Sequence, residues 1–157
     1  MTEQNSKILI LESEPDILMR KHSIEDFPNE SCGFMYGYET ETERIITIAR
    51  PVINSKEGDQ KRRFEISPFD YMKAEAFALQ KNLTLLGVYH SHPQHPAIAS
   101  VHDLKSAMPF FSYVIYSVMN AKIDDVKSWQ LKDNGEEFYE EEVRLTILNT
   151  VNKIQTT

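Results

Sequence analysis

The sequence predicts one domain of mixed α/β (α+β) class spanning all 157 residues. Three observations carry this. Short apolar runs at residues 7–11, 32–38, 84–89 and 111–119 read as strands. Helix-start chemistry lies between them, Ser13 with Pro15 and Asp16, then Ser67 with Pro68 and Asp70. A hydrophobic content of 41% suffices for one sizeable core.

In order, Lys7-Ile8-Leu9-Ile10-Leu11 is a first strand. Ser13 is the expected N-cap of a helix with Ile17, Leu18 and Ile24 on its inward stripe, ending near Asp26. The loop Pro28-Asn29-Glu30-Ser31 leads into a strand from Cys32 to Tyr38, which leaves Glu30 at a strand edge. Thr40 to Glu43 makes a hairpin turn, and Arg44 to Val52 is the partner strand. Residues 53–63, rich in charges and amides, predict a mobile surface loop, followed by a short strand at Phe64-Glu65-Ile66. Ser67 should cap the second helix, with Pro68 at its first position and Asp70 reaching back as in a capping box. Phe69, Met72, Ala76 and Leu79 or Gln80 form its stripe. Past the buried strand that ends in His90 and His92, Ser100 and Asp103 have the spacing of another capping box. Phe111 to Met119 and Asp124 to Lys132 are further strands, and Asn134-Gly135 predicts a two-residue hairpin turn with positive φ at both positions. Phe138 to Leu148 reads as a strand whose end is open between strand and helix.

A formal charge of −7 and a pI near 5.2 argue against a nucleic-acid partner, whose phosphates would require clustered Lys and Arg. The cluster Lys61-Arg62-Arg63 reads as solvated loop. One cysteine, Cys32, excludes an internal disulfide and Cys-rich zinc sites and points to a reducing compartment. The first six residues are polar and no apolar run approaches the roughly 20 residues of a membrane span, so the expectation is no signal peptide, no membrane association and a cytoplasmic location.

The chemistry concentrates at Gly87-Val88-Tyr89-His90-Ser91-His92-Pro93. On a strand, His90 and His92 point to one face and can chelate a metal. Ten residues separate His92 from Asp103, and Pro93 and Pro96 force an irregular turn that can return the Asp103 carboxylate to the imidazoles. Two histidines and one carboxylate leave one position of a tetrahedral zinc open, the catalytic ligand count.

A Glu far upstream, then His-x-His-Pro, then Ser-x-x-Asp is also the motif of the JAB1/MPN/Mov34 (JAMM) metalloproteases, which this chain resembles at Glu30, His90, His92, Pro93, Ser100 and Asp103. The segments Pro28–Gly33, Arg63–Pro68 and Tyr113–Val118 resemble the small stand-alone prokaryotic members. Ala97-Ile98-Ala99 departs from the more polar sequence of that loop in the family. The resemblance implies a cytidine-deaminase-like fold, a mixed sheet flanked by helices. It implies one Zn(2+) per chain on His90, His92 and Asp103. Glu30 would take a proton from the attacking water and hand it to the leaving amine, and Ser100 would donate to the developing oxyanion. His95 and His102 match no ligand position. Cys32 reads as a small buried residue.

By the same resemblance the chain is a zinc-dependent peptidase or isopeptidase. Its substrate is then the amide after the C-terminal Gly-Gly of a ubiquitin-like or sulfur-carrier protein. Asn54 and the loop after it are candidates to bind an extended tail, which an edge strand at Phe64 to Ile66 could hold by backbone pairing. The alternatives are a non-catalytic MPN scaffold, which would lack the ligands retained here, and a zinc amidase acting on a small-molecule amide.

Overall fold

The computed structural model describes residues 7–146. Its elements are β1 (Ile8–Leu11), α1 (Ser13–Asp26), β2 (Cys32–Glu39), β3 (Glu43–Val52), α2 (Pro68–Lys81), β4 (Thr84–Pro93), α3 (Val101–Ser106), β5 (Ser112–Met119), β6 (Lys122–Leu131), β7 (Phe138–Glu141) and β8 (Val143–Leu145). The strands form one eight-stranded sheet in the order β7-β6-β5-β4-β2-β3-β1-β8. It is mixed: β4 runs antiparallel to β2 and parallel to β5, and β1 is parallel to both β3 and β8. No helix among the described residues is long and apolar enough to cross a membrane.

The position of β4 explains its composition. With a strand on each side and packing on both faces, it is buried from Leu86 to Pro93, which suits a continuous apolar run rather than strict alternation. One face packs Met35, Tyr89, Val114 and Tyr116 against Met19 of α1. The other packs Phe34, Tyr36, Val88 and Tyr113 against Ala74 and Ala78 of α2. Gly33 on β2 is required by this packing, since a Cβ there would run into the Tyr89 ring and the Arg50 carbonyl.

Several local expectations are corrected. The N-cap of α1 is Glu12, and Ser13 is already helical. Ile17, Leu18 and Ile24 face solvent, while Pro15, Asp16, Met19 and Ser23 are buried. The cause is polar: Asp16 accepts a bond from Tyr116 Oη at 2.8 Å and pairs with Arg20 at 3.0 Å, which fixes the rotation of the helix. In α2 the Ser67 cap and Pro68 stand as expected, with the Asp70 N–H donating to Ser67 Oγ, but Phe69, Met72 and Leu79 are exposed. Small Ala74 and Ala78 instead let the helix approach the sheet closely.

Phe64-Glu65-Ile66 forms no strand. The hairpin after β6 is longer than two residues: the Lys132 N–H bonds the Glu137 carbonyl and the Gly135 N–H bonds the Lys132 carbonyl, and of Asn134 and Gly135 only Gly135 has positive φ. The segment expected from Phe138 to Leu148 divides into β7 and β8, and its last two positions lie outside the described residues.

Candidate functional site

Period-two geometry on β4 turns Val88, His90 and His92 toward the α2 face and Tyr89 and Ser91 toward the α1 face. After Pro93 the chain leaves the sheet, and three bonds fix its path: Gln94 N–H to the Val118 carbonyl, Ser117 Oγ to the His95 carbonyl at 2.6 Å, and Trp129 Nε1 to the Ala97 carbonyl at 3.0 Å. This path returns Ser100 and Asp103 to the histidines. They form the capping box of α3, with the Ser100 N–H donating to Asp103 Oδ2 at 2.8 Å and the Asp103 N–H donating to Ser100 Oγ at 3.1 Å. The box fixes the Asp103 rotamer while leaving the Ser100 hydroxyl proton free to donate elsewhere.

The result is three converging donors. His90 Nε2 lies 3.1 Å from His92 Nε2 and 3.2 Å from Asp103 Oδ1, and His92 Nε2 lies 3.3 Å from Asp103 Oδ2. All three side chains are buried, and their ligand atoms lie within 4.8 Å of one another. His92 Nδ1 donates to the Pro96 carbonyl at 2.8 Å, which leaves the Nε2 lone pair of the neutral ring facing inward. His90 is backed by Phe64, whose ring stacks on it at 4.5 Å between centroids. Two imidazole nitrogens and a carboxylate oxygen, buried and pointed at one spot, fit a divalent metal of borderline softness such as zinc. Neither His95 nor His102 joins this group.

Glu30 reaches the site through the neighbouring strand. Cys32 is paired with His90, and the Ser91 N–H bonds the Ser31 carbonyl at 3.1 Å, carrying the antiparallel register one residue further. Glu30 therefore falls opposite His92. It is 5% exposed, and burial pushes its carboxyl up to about 8, with His92 opposing that rise and Asp103 adding to it. At Asp103 burial opposes ionisation, but His90, His92 and the Ser100 N–H outweigh it and hold the carboxyl far below the carboxylate range. Burial lowers His90, whereas in His92 the pairing with Asp103 overcomes burial and raises the ring. Burial also pushes the Cys32 thiol up to about 12, which removes it as a nucleophile at neutral pH.

Asn54 stands differently from its expected part as a substrate contact. Nδ2 donates to the Glu30 and Arg63 carbonyls, and Oδ1 accepts from the Lys56 and Glu65 N–H groups, so both ends of the amide are engaged by the protein itself. The loop 53–63 is thereby tied down rather than loose. Ser31, Ser91, Gln60 and Phe64 surround the site and were not singled out by the motif. Ser31 and Ser91 each neighbour a motif residue, but only the strand register brings them together.

The profile of the family described as prokaryotic homologs of the JAB domain matches residues 17–132. The chain belongs to this family. A desampylase of Pyrococcus furiosus is 31% identical over 106 residues, covering 68% of this chain and 69% of that protein. A probable TtuB-protein conjugate cleaving protease of Thermus thermophilus is 30% identical over 117 residues, covering 74% and 72%. Among solved structures, a Desulfitobacterium hafniense protein superposes with a TM-score of 0.74 at 28% identity, covering 87% of this chain and 92% of that one. A Salinibacter ruber protein gives 0.64 at 34% identity, covering 87% and 89%. The mixed sheet flanked by helices is thus the family fold.

Proposed function

We propose that this chain is a zinc-dependent peptidase or isopeptidase that hydrolyses the amide after the C-terminal Gly-Gly of a ubiquitin-like or sulfur-carrier protein. The observation that carries the reading is the convergence of His90, His92 and Asp103, with the buried Glu30 opposite His92 in the register. His90, His92 and Asp103 would hold a zinc ion, which would supply Lewis-acid polarisation of a carbonyl and a water of pKa about 7. The protein supplies the rest. Glu30 takes the proton of the attacking water and passes it to the nitrogen of the leaving amine, a task suited to a carboxyl raised toward neutrality by burial. Ser100, whose Oγ already accepts from the Asp103 N–H, donates its hydroxyl proton to the oxygen that gains charge. His92, oriented by the Pro96 carbonyl, and Asp103, oriented by the capping box, keep the donor set preorganised.

The substrate class is supported by the relatives named above as a desampylase and as a probable TtuB-protein conjugate cleaving protease. A tail ending in Gly-Gly also avoids side chains that would crowd the buried donors. The test incubates the protein with a ubiquitin-like carrier bearing a C-terminal extension after Gly-Gly, with and without a chelator, and follows product mass. Chelator-sensitive cleavage directly after Gly-Gly is expected. Equal cleavage of a carrier ending in Val-Val would refute recognition of the tail, and cleavage unaffected by chelation would refute the metal.

A further inference from the structure

Glu30 lies outside regular secondary structure, two residues ahead of β2, and although the register places it opposite His92 its own N–H makes its bond outside the ladder. Its two peptide groups are nevertheless both engaged, by one loop. The Glu30 N–H donates to the Gln60 carbonyl at 2.7 Å, and the Glu30 carbonyl accepts from Asn54 Nδ2 at 3.1 Å. Asn54 also organises that loop: Oδ1 accepts from the Lys56 and Glu65 N–H groups at 3.0 and 3.1 Å, and Nδ2 donates to the Arg63 carbonyl at 3.1 Å. Gln60 completes the clamp, its Nε2 donating to the Asn54 and Lys56 carbonyls at 3.1 and 2.9 Å. One amide thus joins four backbone segments, at residues 30, 56, 63 and 65. The same loop ends in Phe64, stacked on His90, so it touches both the base and a ligand ring.

We infer that Asn54 is a positioning residue for Glu30: the clamp of Asn54 and Gln60 sets where the Glu30 carboxylate stands, and its contribution to catalysis runs through that carboxylate. This rests on Glu30 being the general base, as proposed above. Proton transfer tolerates little displacement, and a shift of about 1 Å can cost about 100-fold in rate. Oδ1 serves the loop alone, at Lys56 and Glu65, whereas Nδ2 serves both Glu30 and, at Arg63, the loop. Asn54→Asp keeps the acceptor and removes the donor.

Asn54→Asp should bind zinc as wild type does and keep KM within about twofold, while kcat falls about tenfold or more. The deciding readout is a double-mutant cycle. In a Glu30→Gln background, Asn54→Asp should produce no further loss, because two residues acting through one carboxylate are not additive. Gln60→Met, which removes the other donors of the clamp and leaves Asn54 intact, should give a smaller fall in kcat that also disappears in the Glu30→Gln background. It carries the test if Asn54→Asp does not fold. Undiminished kcat in a folded Asn54→Asp, or an equal fold-loss with and without Glu30→Gln, overturns the positioning role. Full activity of Glu30→Gln alone overturns the base assignment, and the present inference with it, which separates the two failures.

Discussion

The Ser31 N–H donates to Ser91 Oγ at 2.8 Å, and the Ser91 N–H returns a bond to the Ser31 carbonyl at 3.1 Å. Ser31 follows the proposed base, and Ser91 sits between the two histidines on their strand. The pair fixes the distance between Glu30 and the donor set from the opposite side of the sheet. Ser91→Ala strands the buried Ser31 N–H and removes the nearer acceptor of the Ser31 hydroxyl, at 3.0 Å, leaving Ser23 Oγ at 3.4 Å. A loss of about 1–3 kcal/mol in unfolding free energy is expected, with kcat reduced more than KM. Denaturant titration and steady-state kinetics check both, and unchanged stability would contradict the role of the pair.

Purified protein should carry about one equivalent of zinc, and His92→Ala should lose most of it, since two remaining donors hold the ion poorly. Metal analysis of both proteins is decisive. Stoichiometric zinc persisting in the variant would place the metal elsewhere.

Glu30→Gln keeps the shape of the side chain but cannot accept a proton. Zinc content and folding should stay near wild type while turnover drops roughly 100- to 10,000-fold. A variant with wild-type kcat would assign the base to another group.

Zinc affinity should rise with pH. The His92 ring, raised by its partner Asp103 against the effect of burial, holds a proton to higher pH than a free imidazole and ligates only in its neutral form. His90, lowered by burial, is already neutral, and Asp103 is already ionised. Binding should therefore release protons, from His92 and from Glu30, whose carboxyl burial pushes up to about 8, and the release should shrink as the pH rises. Calorimetry in buffers of different ionisation enthalpy measures the release. Affinity that stays flat between about pH 6 and 8 would contradict the assignment.

The convergence of His90, His92 and Asp103 is legible in the sequence because strand alternation and capping chemistry are local: His90 and His92 two apart, Ser100 and Asp103 three apart. The placement of Glu30 beside that group follows in the sequence from family resemblance alone, since it depends on the register between β2 and β4, a relation between residues 60 apart in the chain. The helix faces were misread for a related reason. Placing Ile17, Leu18 and Ile24 inward assumes that apolar residues choose the buried face, whereas in α1 the Asp16 contacts with Tyr116 and Arg20 choose it. Asn54 stands in the sequence as a candidate contact for an extended substrate tail, but its four partners are Glu30 and a loop whose shape no periodicity encodes.

The indole bond from Trp129 to the Ala97 carbonyl has a spectroscopic consequence. Trp129 is the only tryptophan in the sequence, and its indole N–H donates to the turn that carries the chain from His92 to Ser100. Its emission is therefore an internal reporter on that turn, read without labelling or mutation. Any displacement of the turn by ion loading or by a seated substrate would change the hydrogen bond at the indole and shift the emission wavelength. The same cuvette could thus time these events separately in a stopped-flow instrument, before any peptide bond is cut.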